Sequence, residues 1–346
     1  MKSFEKTTIG KLELKNRLAM APMCMNSADE TGHAQNFHYI HYGNAAIGGL
    51  GLVIVEATAV TPEGRILGQD LGIWDDSHLP GQRKIVELIH EFGARAGIQL
   101  AHAGRKCAIP GEQIVAPSAI PFSEEYAVPE ALDKAGIQRI KDAFKEAAVR
   151  SVEAGYDLIE LHGAHGYLIH EFLSPLSNHR NDEYGGSREN RVRLLLEIAD
   201  EVRSVIPEEM PLMVRVSASD YFEGGIDIDE MVEIINLVKD RFDMIHVSSG
   251  ALVSEARIRT FPGYQVPLSD AIKERCGVKT MTVGLITRIE QIEEILNSDR
   301  ADMVSLGRLL LRDPYFVLNA AEGEVEIPFA IQRGFPFLRY IKIKKK

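Results

Sequence analysis

The chain has 346 residues, 45% of them hydrophobic and 26% charged, with 29 Gly, 15 Pro, three Cys and a formal net charge of -11. At about 150 residues per domain the length suggests roughly two domains, but α/β barrels reach about 250 residues or more as one domain, so a single large core is open. The excess of 50 acidic over 39 basic residues argues against a nucleic-acid or anionic-membrane partner, because phosphate surfaces demand a basic footprint.

Cys24, Cys107 and Cys276 are too scattered for a disulfide framework or for the clustered thiolates of an iron–sulfur centre. Residues 1–17 contain no apolar signal-peptide core. The longest apolar stretch, residues 50–60, carries Glu56 and is about half a membrane span. A cytoplasmic protein without a membrane partner is expected. Residues 340–346, rich in lysine, read as a solvated basic tail.

In chain order, residues 7–17 (TTIGKLELKNR) place Gly10-Lys11 between two short runs, which predicts a hairpin ahead of the main fold. Eight β-branched or apolar runs follow. They are 17–22 (RLAMAP), 51–58 (GLVIVEAT), 96–102 (AGIQLAH), 156–162 (YDLIELH), 211–217 (PLMVRVS), 243–248 (DMIHVS), 279–284 (KTMTVG) and 301–307 (ADMVSLG). Helical periodicity fills the intervals at 80–95, 134–153, 187–206, 229–241, 288–296 and 313–320. Ser187 reads as one helix cap, and Thr287, three residues before Glu290, as a capping box.

Near-continuous apolar strands imply a sheet buried on both faces, and eight strand–helix units imply closure into a (β/α)8 barrel. A doubly wound open sheet is the alternative, weakened because no G-x-G-x-x-G follows the first strand. The expected organisation is one domain over residues 1–346, with 1–16 as a hairpin plugging the barrel bottom and 322–346 as a C-terminal extension at a possible subunit interface.

Barrel chemistry gathers at the carboxyl ends of the strands. Those ends carry Cys24, Ala57-Thr58, Gln99 with His102, His162 with His165, Arg215, Ser248-Ser249-Gly250, Gly284 and Gly307-Arg308. His162 and His165 are open to three readings: metal ligands, paired donors to one anionic or carbonyl oxygen, or packed core histidines. The metal reading wants a third ligand, for which Glu160 is poorly placed inside its strand. Flanking Gly163 and Gly166 favour a site. Gly284 and Gly307-Arg308 end the seventh and eighth strands, where barrels often hold a phosphate.

These residues sit in longer motifs: Ala21-Pro22-Met23-Cys24-Met25, Asp70-Leu71-Gly72-Ile73-Trp74, residues 97–106 (GIQLAHAGRK), residues 165–187 from His165-Gly166-Tyr167 to Tyr184-Gly185-Gly186-Ser187, and Val214-Arg215-Val216-Ser217. With them the sequence resembles, over nearly its whole length, the old yellow enzyme family of FMN-dependent ene-reductases. Within that family it resembles the bacterial, thermophilic-like subclass with a cysteine after the first strand. The resemblance, and not the spacing, supplies the identity of FMN, bound non-covalently, and of NAD(P)H as co-substrate.

Carried over residue by residue, the resemblance implies that Ala21, Pro22, Met23 and Cys24 line the flavin, Ala57 packs on its rings, Gln99 bonds its pyrimidine edge and Arg215 stabilises its reduced form. Gly284, Gly307 and Arg308 would hold its phosphate. Hydride would pass from NAD(P)H to N5 and on to the β-carbon of an α,β-unsaturated carbonyl or nitro compound. His162 and His165 would bind the substrate oxygen, and Tyr167 would protonate the α-carbon. Were Arg215 instead a purely structural residue, it would be expected in a salt bridge across the barrel interior. On the same terms Cys24 would be a small buried hydrophobe and Tyr167 a packing residue.

Asn26 departs from the pattern, since the subclass usually has a substrate-binding tyrosine there, and this implies an altered substrate range. Gly163 after His162, where alanine is more familiar, is expected to matter little. Residues 332–335 (QRGF) resemble an ending in which an arginine, here Arg333, enters the neighbouring subunit's site, implying a homodimer or homotetramer. Among alternatives, a tRNA dihydrouridine synthase should be basic. A dienoyl-CoA-reductase-like relative needs a cysteine cluster and another domain. A non-catalytic flavin-binding module needs neither the two histidines, Tyr167 nor Arg215.

Overall fold

Runs of Val, Ile, Leu and Met without a polar face are covered only when both faces of their sheet are buried. The computed structural model, which describes residues 1–321 and 327–334, closes these runs into a barrel. A hairpin of β1 (Thr7–Ile9) and β2 (Leu12–Leu14) comes first. Then follow β3 (Leu18–Met20), β4 (Leu52–Ala59), β5 (Arg95–Ala101), a short parallel pair β6 (Val115–Ala116) and β7 (Glu130–Ala131), β8 (Leu158–Gly163), β9 (Leu212–Ser217), β10 (Met244–Ser248), β11 (Thr280–Thr282) and β12 (Met303–Leu306). All but the hairpin and the β6–β7 pair form one closed parallel barrel, sealed where β12 pairs β3 through Val304 and Leu18.

Each expected strand is present, and the hairpin plugs the bottom. Ile9 and Leu14 pack on Ala19, Leu52, Ile54, Leu158, Met213, Met244, Met281 and Met303, all at most 1% exposed. Side chains alternate along a strand, so two residues above this floor the interior changes character. Leu158 is followed by Glu160 and His162, Met213 by Arg215 and Ser217, Met244 by His246 and Ser248, and Met303 by Ser305 and Gly307. The fold thus stacks an apolar floor, a polar middle layer and a polar mouth.

The helices outside bury one face each. Arg193–Arg203 buries Leu194, Leu195, Ile198, Ala199 and Val202, the spacing of a single helical stripe. Four helices were not foreseen: Asn36–Ile47, Leu168–Leu173, Val266–Cys276 and Arg308–Arg312. Others differ in their bounds. The second ends at Glu91, because Gly93 turns left-handed at φ +73° and Arg95 already belongs to β5. The 187–206 segment divides at Val192 into Arg188–Arg191 and Arg193–Arg203. The last begins at Phe316, past Pro314.

Ser187 caps as expected, accepting from the Asn190 N–H. The Thr287 capping box is not formed: Arg288 occupies the cap of Ile289–Asn297, and the Thr287 N–H donates to Gln291 Oε1 at 3.1 Å. Among the described residues, no helix is long and apolar enough to cross a membrane. Of the C-terminal segment, residues 322–326 and 335–346 lie outside the described residues, so the basic tail and Phe335 are not placed.

Candidate active site

The middle and mouth layers open into a cavity of about 230 Å³. Ala21, Pro22, Met23, His165, Arg215, Gly284, Gly307 and Arg308, all singled out from the sequence, line it. Ser248, from the strand-end ring, lies there too, as do Tyr264, Gln265 and Leu285, which sequence reasoning missed. Tyr264 and Gln265 come from the loop between β10 and its helix, far in sequence from any strand-end motif, so no local signal marked them.

Arg215 is the unusual member. Its side chain is 7% exposed, yet among the described residues it forms no ion pair. Its one hydrogen bond, from Nη1 to the Pro22 carbonyl, is 3.4 Å long, and Nε has no partner. The salt bridge expected of a purely structural arginine is not there. A buried cation left unpaired is costly unless something anionic or strongly polar comes to it. Gly284 has φ +129°, and a Cβ there would stand 3.2 Å from that of Gln265, so only glycine fits the turn. A Cβ at Gly307 would sit 3.5 Å from Met23 Sδ, beside the cavity lining. A concave site with one unpaired guanidinium, two glycine-edged strand ends and the cation Arg308 suits a ligand with phosphate at one end and an electron-rich polar edge at the other, as FMN has.

Ala57, Gln99, His162 and Tyr167 stand on or just after β4, β5 and β8, Cys24 and Asn26 follow β3, and none of them lines this cavity. Ala57 and Gln99 are register partners. The Gln99 amide donates to Glu160 Oε1 at 2.8 Å, and Glu160 Oε2 meets His246 Nδ1 at 2.7 Å, so Glu160 is engaged within the barrel. Among the described residues no group of three or more His, Cys, Asp or Glu side chains is placed to hold a metal. His102 is buried with Nδ1 accepting from the Gly104 N–H, and burial drives its pKa down to about 3.

His162 and His165 lie with ring centroids 5.3 Å apart, and the Tyr167 ring stands 4.8 Å from His162, edge-on in both cases. Burial, then the Arg215 charge, holds both imidazoles well below the ordinary histidine range, so both are neutral. His162 Nδ1 accepts from the Ala164 N–H at 3.3 Å, which leaves its proton on Nε2. His165 Nε2 is 2.7 Å from Ser248 Oγ, and Gln265 Nε2 donates to the same oxygen at 3.1 Å. The Ser248 hydroxyl proton is therefore available to His165 Nε2, an arrangement that leaves the His165 proton on Nδ1.

Burial raises the Tyr167 phenol above its usual value, so it keeps its proton. Burial, reinforced by the Asp70 and Glu56 carboxylates, pushes the Cys24 thiol well up, and the group is a neutral thiol. Asn26 is exposed with φ +48°, a left-handed conformation that asparagine tolerates well. It does not line the cavity. Arg333 is exposed in the Phe329–Gly334 turn, likewise outside the cavity.

Comparison with known proteins agrees with this geometry. Residues 2–326 match the profile of the NADH:flavin oxidoreductase / NADH oxidase family. An NADPH dehydrogenase of Clostridium acetobutylicum is 52% identical over 339 residues, covering 97% of this chain and 100% of the relative. An NADPH dehydrogenase of Bacillus subtilis is 51% identical, covering 96% and 99%. Among solved structures, morphinone reductase superposes with a TM-score of 0.80 at 28% identity, over 93% of this chain and 89% of its own. A complex of morphinone reductase with tetrahydroNAD gives 0.78 at 28% identity over 95% and 93%.

Proposed function

The chain belongs to the NADH:flavin oxidoreductase / NADH oxidase family, an FMN oxidoreductase working with NAD(P)H, and from that premise we propose that it reduces the activated double bond of α,β-unsaturated carbonyl or nitro compounds. FMN, when bound, supplies the relay of two electrons between nicotinamide and acceptor. Arg215 would hold the polar edge of its ring system. Gly284, Gly307 and Arg308 would hold its phosphate, and Ala21, Pro22, Met23, Cys24, Ala57 and Gln99 would frame the rings.

The observation that carries the reading is the cluster of His162, His165 and Tyr167, with ring centroids 5.3 and 4.8 Å apart and both imidazoles held by fixed partners. Two neutral imidazoles with their N–H groups fixed by backbone and serine partners can donate together to one substrate oxygen. That withdraws electron density from the conjugated alkene. A phenol kept protonated beside them can give its proton to the α-carbon. Cation or metal chemistry is not needed for either task, because donors aimed at the developing oxyanion suffice. Asn26 at the rim, smaller than a tyrosine, would leave room for bulkier acceptors. Arg333 would complete the site of a neighbouring subunit in a homodimer or homotetramer. A cytoplasmic location follows the same reading.

Anaerobic titration of the FMN-loaded protein with NADPH and NADH, then reoxidation by a panel of enones, maleimides and nitroalkenes, tests the proposal. Bleaching by a nicotinamide and recovery of the yellow form by at least one acceptor class are expected. A protein that takes up no FMN, or that is bleached but reoxidised only by oxygen, would sink it.

A further inference from the structure

In the middle layer, which Arg215 carries into the cavity, the barrel interior holds three further side chains that the proposed chemistry does not use as a set. Gln99 is 1% exposed, and Glu160 and His246 are 0% exposed. Glu160 joins the other two, accepting from Gln99 Nε2 at 2.8 Å and meeting His246 Nδ1 at 2.7 Å. Arg215, which lines the cavity, is the register partner of His246. Ser248, also in the lining, lies two residues beyond His246 on the same strand, one layer up. The set therefore shares its layer with the cavity-lining Arg215.

We propose that Glu160 and His246 are positioning residues for the flavin site, locking the Gln99 amide in one orientation and supplying the buried negative charge that partly offsets Arg215. The proposal rests on the reading of the cavity as the FMN site. The amide argument is one of sign. If Gln99 flipped, its carbonyl oxygen would face the Glu160 carboxylate, two acceptors with no proton between them. The flipped form is excluded, so Gln99 Oε1 is committed to the side away from Glu160, as an acceptor for a ring N–H.

The charge argument follows from burial. Glu160 pairs in register with Met213, two residues before Arg215, and within a barrel interior its carboxylate acts on the guanidinium even without contact. Arg215 touches no carboxylate, so its field is tempered by Glu160 rather than cancelled. The His246 Nδ1–H donates to Glu160 Oε2, while its Nε2 is buried with no partner. A protein needing only a packed core would place apolar side chains here, as the methionine floor one layer below does. Removing the negative charge leaves Arg215 less opposed, which favours the reduced, more negative flavin.

The test measures the FMN dissociation constant and the reduction potential of bound FMN, with melting of the FMN-free protein as the control for folding. The unsubstituted chain is measured first. Glu160→Gln keeps the volume and removes the charge. It is expected to weaken FMN about tenfold, roughly one lost buried hydrogen bond, and to move the potential positive. His246→Leu removes the donor that orients the Glu160 carboxylate and is expected to move the potential the same way. His246→Gln keeps a side-chain N–H and is expected to restore most of the shift.

A merely structural role would lower the melting temperature without moving the potential. An unchanged potential in Glu160→Gln overturns the proposal. If that variant fails to fold, an unchanged potential in His246→Leu does so, and a positive shift there reversed in His246→Gln supports it. An unsubstituted chain that binds no FMN overturns the underlying reading along with it, a result distinct from FMN binding with unmoved potentials.

Discussion

Arg215 brings its charge into the barrel without a carboxylate to meet it. In the FMN-free protein that arrangement is a liability, because Glu160 tempers the charge without touching it and a buried ion lacking a direct partner costs on the order of several kcal/mol. Arg215→Met is therefore expected to raise the melting temperature of the FMN-free protein while weakening FMN binding about a hundredfold, as for lost charge-assisted hydrogen bonds. Calorimetry with and without FMN checks both halves; a variant that melts lower in the FMN-free state refutes the unpaired-cation argument. His162 and Tyr167 divide by role in a similar way. His162→Ala removes a donor to the substrate oxygen and should weaken binding of phenolic ligands, read from their charge-transfer absorbance. Tyr167→Phe should slow the oxidative half-reaction and leave the reductive half-reaction nearly unchanged. Equal slowing of both half-reactions in stopped flow would remove Tyr167 as the proton donor.

The elements that carry these residues are held by a second set of buried charges. The loop after β8 sets His165 at φ +59° and Gly166 at φ +71°, and the facing loop sets Ala251 at φ +68°. Lys106 Nζ donates to the His165 carbonyl at 2.9 Å and to the Ala251 carbonyl, so one ammonium pins two left-handed residues. Below it Glu171 Oε1 accepts from the Arg105 N–H at 2.9 Å, while Oε2 has no partner. Burial raises the Glu171 carboxyl to about 8, against the pull of Arg105 and Lys106. The folded pKa lies above the unfolded value of 4.5, so unfolding releases a proton between those two values. That contribution is complete below pH 4.5 and is lost as pH rises through 8. The melting temperature should fall by several degrees from pH 5 to pH 8, and Glu171→Gln, which keeps an acceptor for Arg105, should flatten that fall; an unchanged slope counts against it. Asp70, raised to about 6 by burial, adds the same sign at lower pH.

These details were hidden in the sequence, whereas the elements were not. The strands were legible because burial on both faces forbids polar residues except where the site needs them, so Glu160 and Arg215 stood out against Val, Ile and Met, while His246 passed unmarked inside its run. Asn36–Ile47 was missed because its buried residues include His38, Tyr42 and Gly43, which do not form an apolar stripe. The Thr287 cap failed because the turn after Gly284, built around Leu285 at φ +53°, carries the chain past Thr287 before the helix starts. Gln265 and Tyr264 escaped notice because a loop residue's approach to a site depends on tertiary packing, which no local pattern reports.

At the scale of the whole molecule the three interior layers divide the labour between stability and chemistry. The floor is closed by the hairpin and four methionines and contains no candidate site residue. The mouth depends on segments from both ends of the chain, since the Ala21 N–H donates to the Leu306 carbonyl across the seam between β3 and β12. A ligand seated there contacts both sides of the seam, so it stabilises the folded state in proportion to its concentration relative to Kd. The floor gains nothing from it. Stripping FMN should therefore leave amide exchange in residues 7–20 and in the lower halves of the strands unchanged. Exchange should rise in residues 21–25, 261–266, 283–287 and 305–310, the segments that line the cavity or adjoin its lining. The local openings at the mouth are separable from global unfolding because the barrel hydrogen bonds below it do not change. Hydrogen-exchange mass spectrometry of loaded and stripped protein reads the difference directly. A uniform loss of protection, floor included, would mean that the cofactor holds the barrel closed and that the layers are not independent.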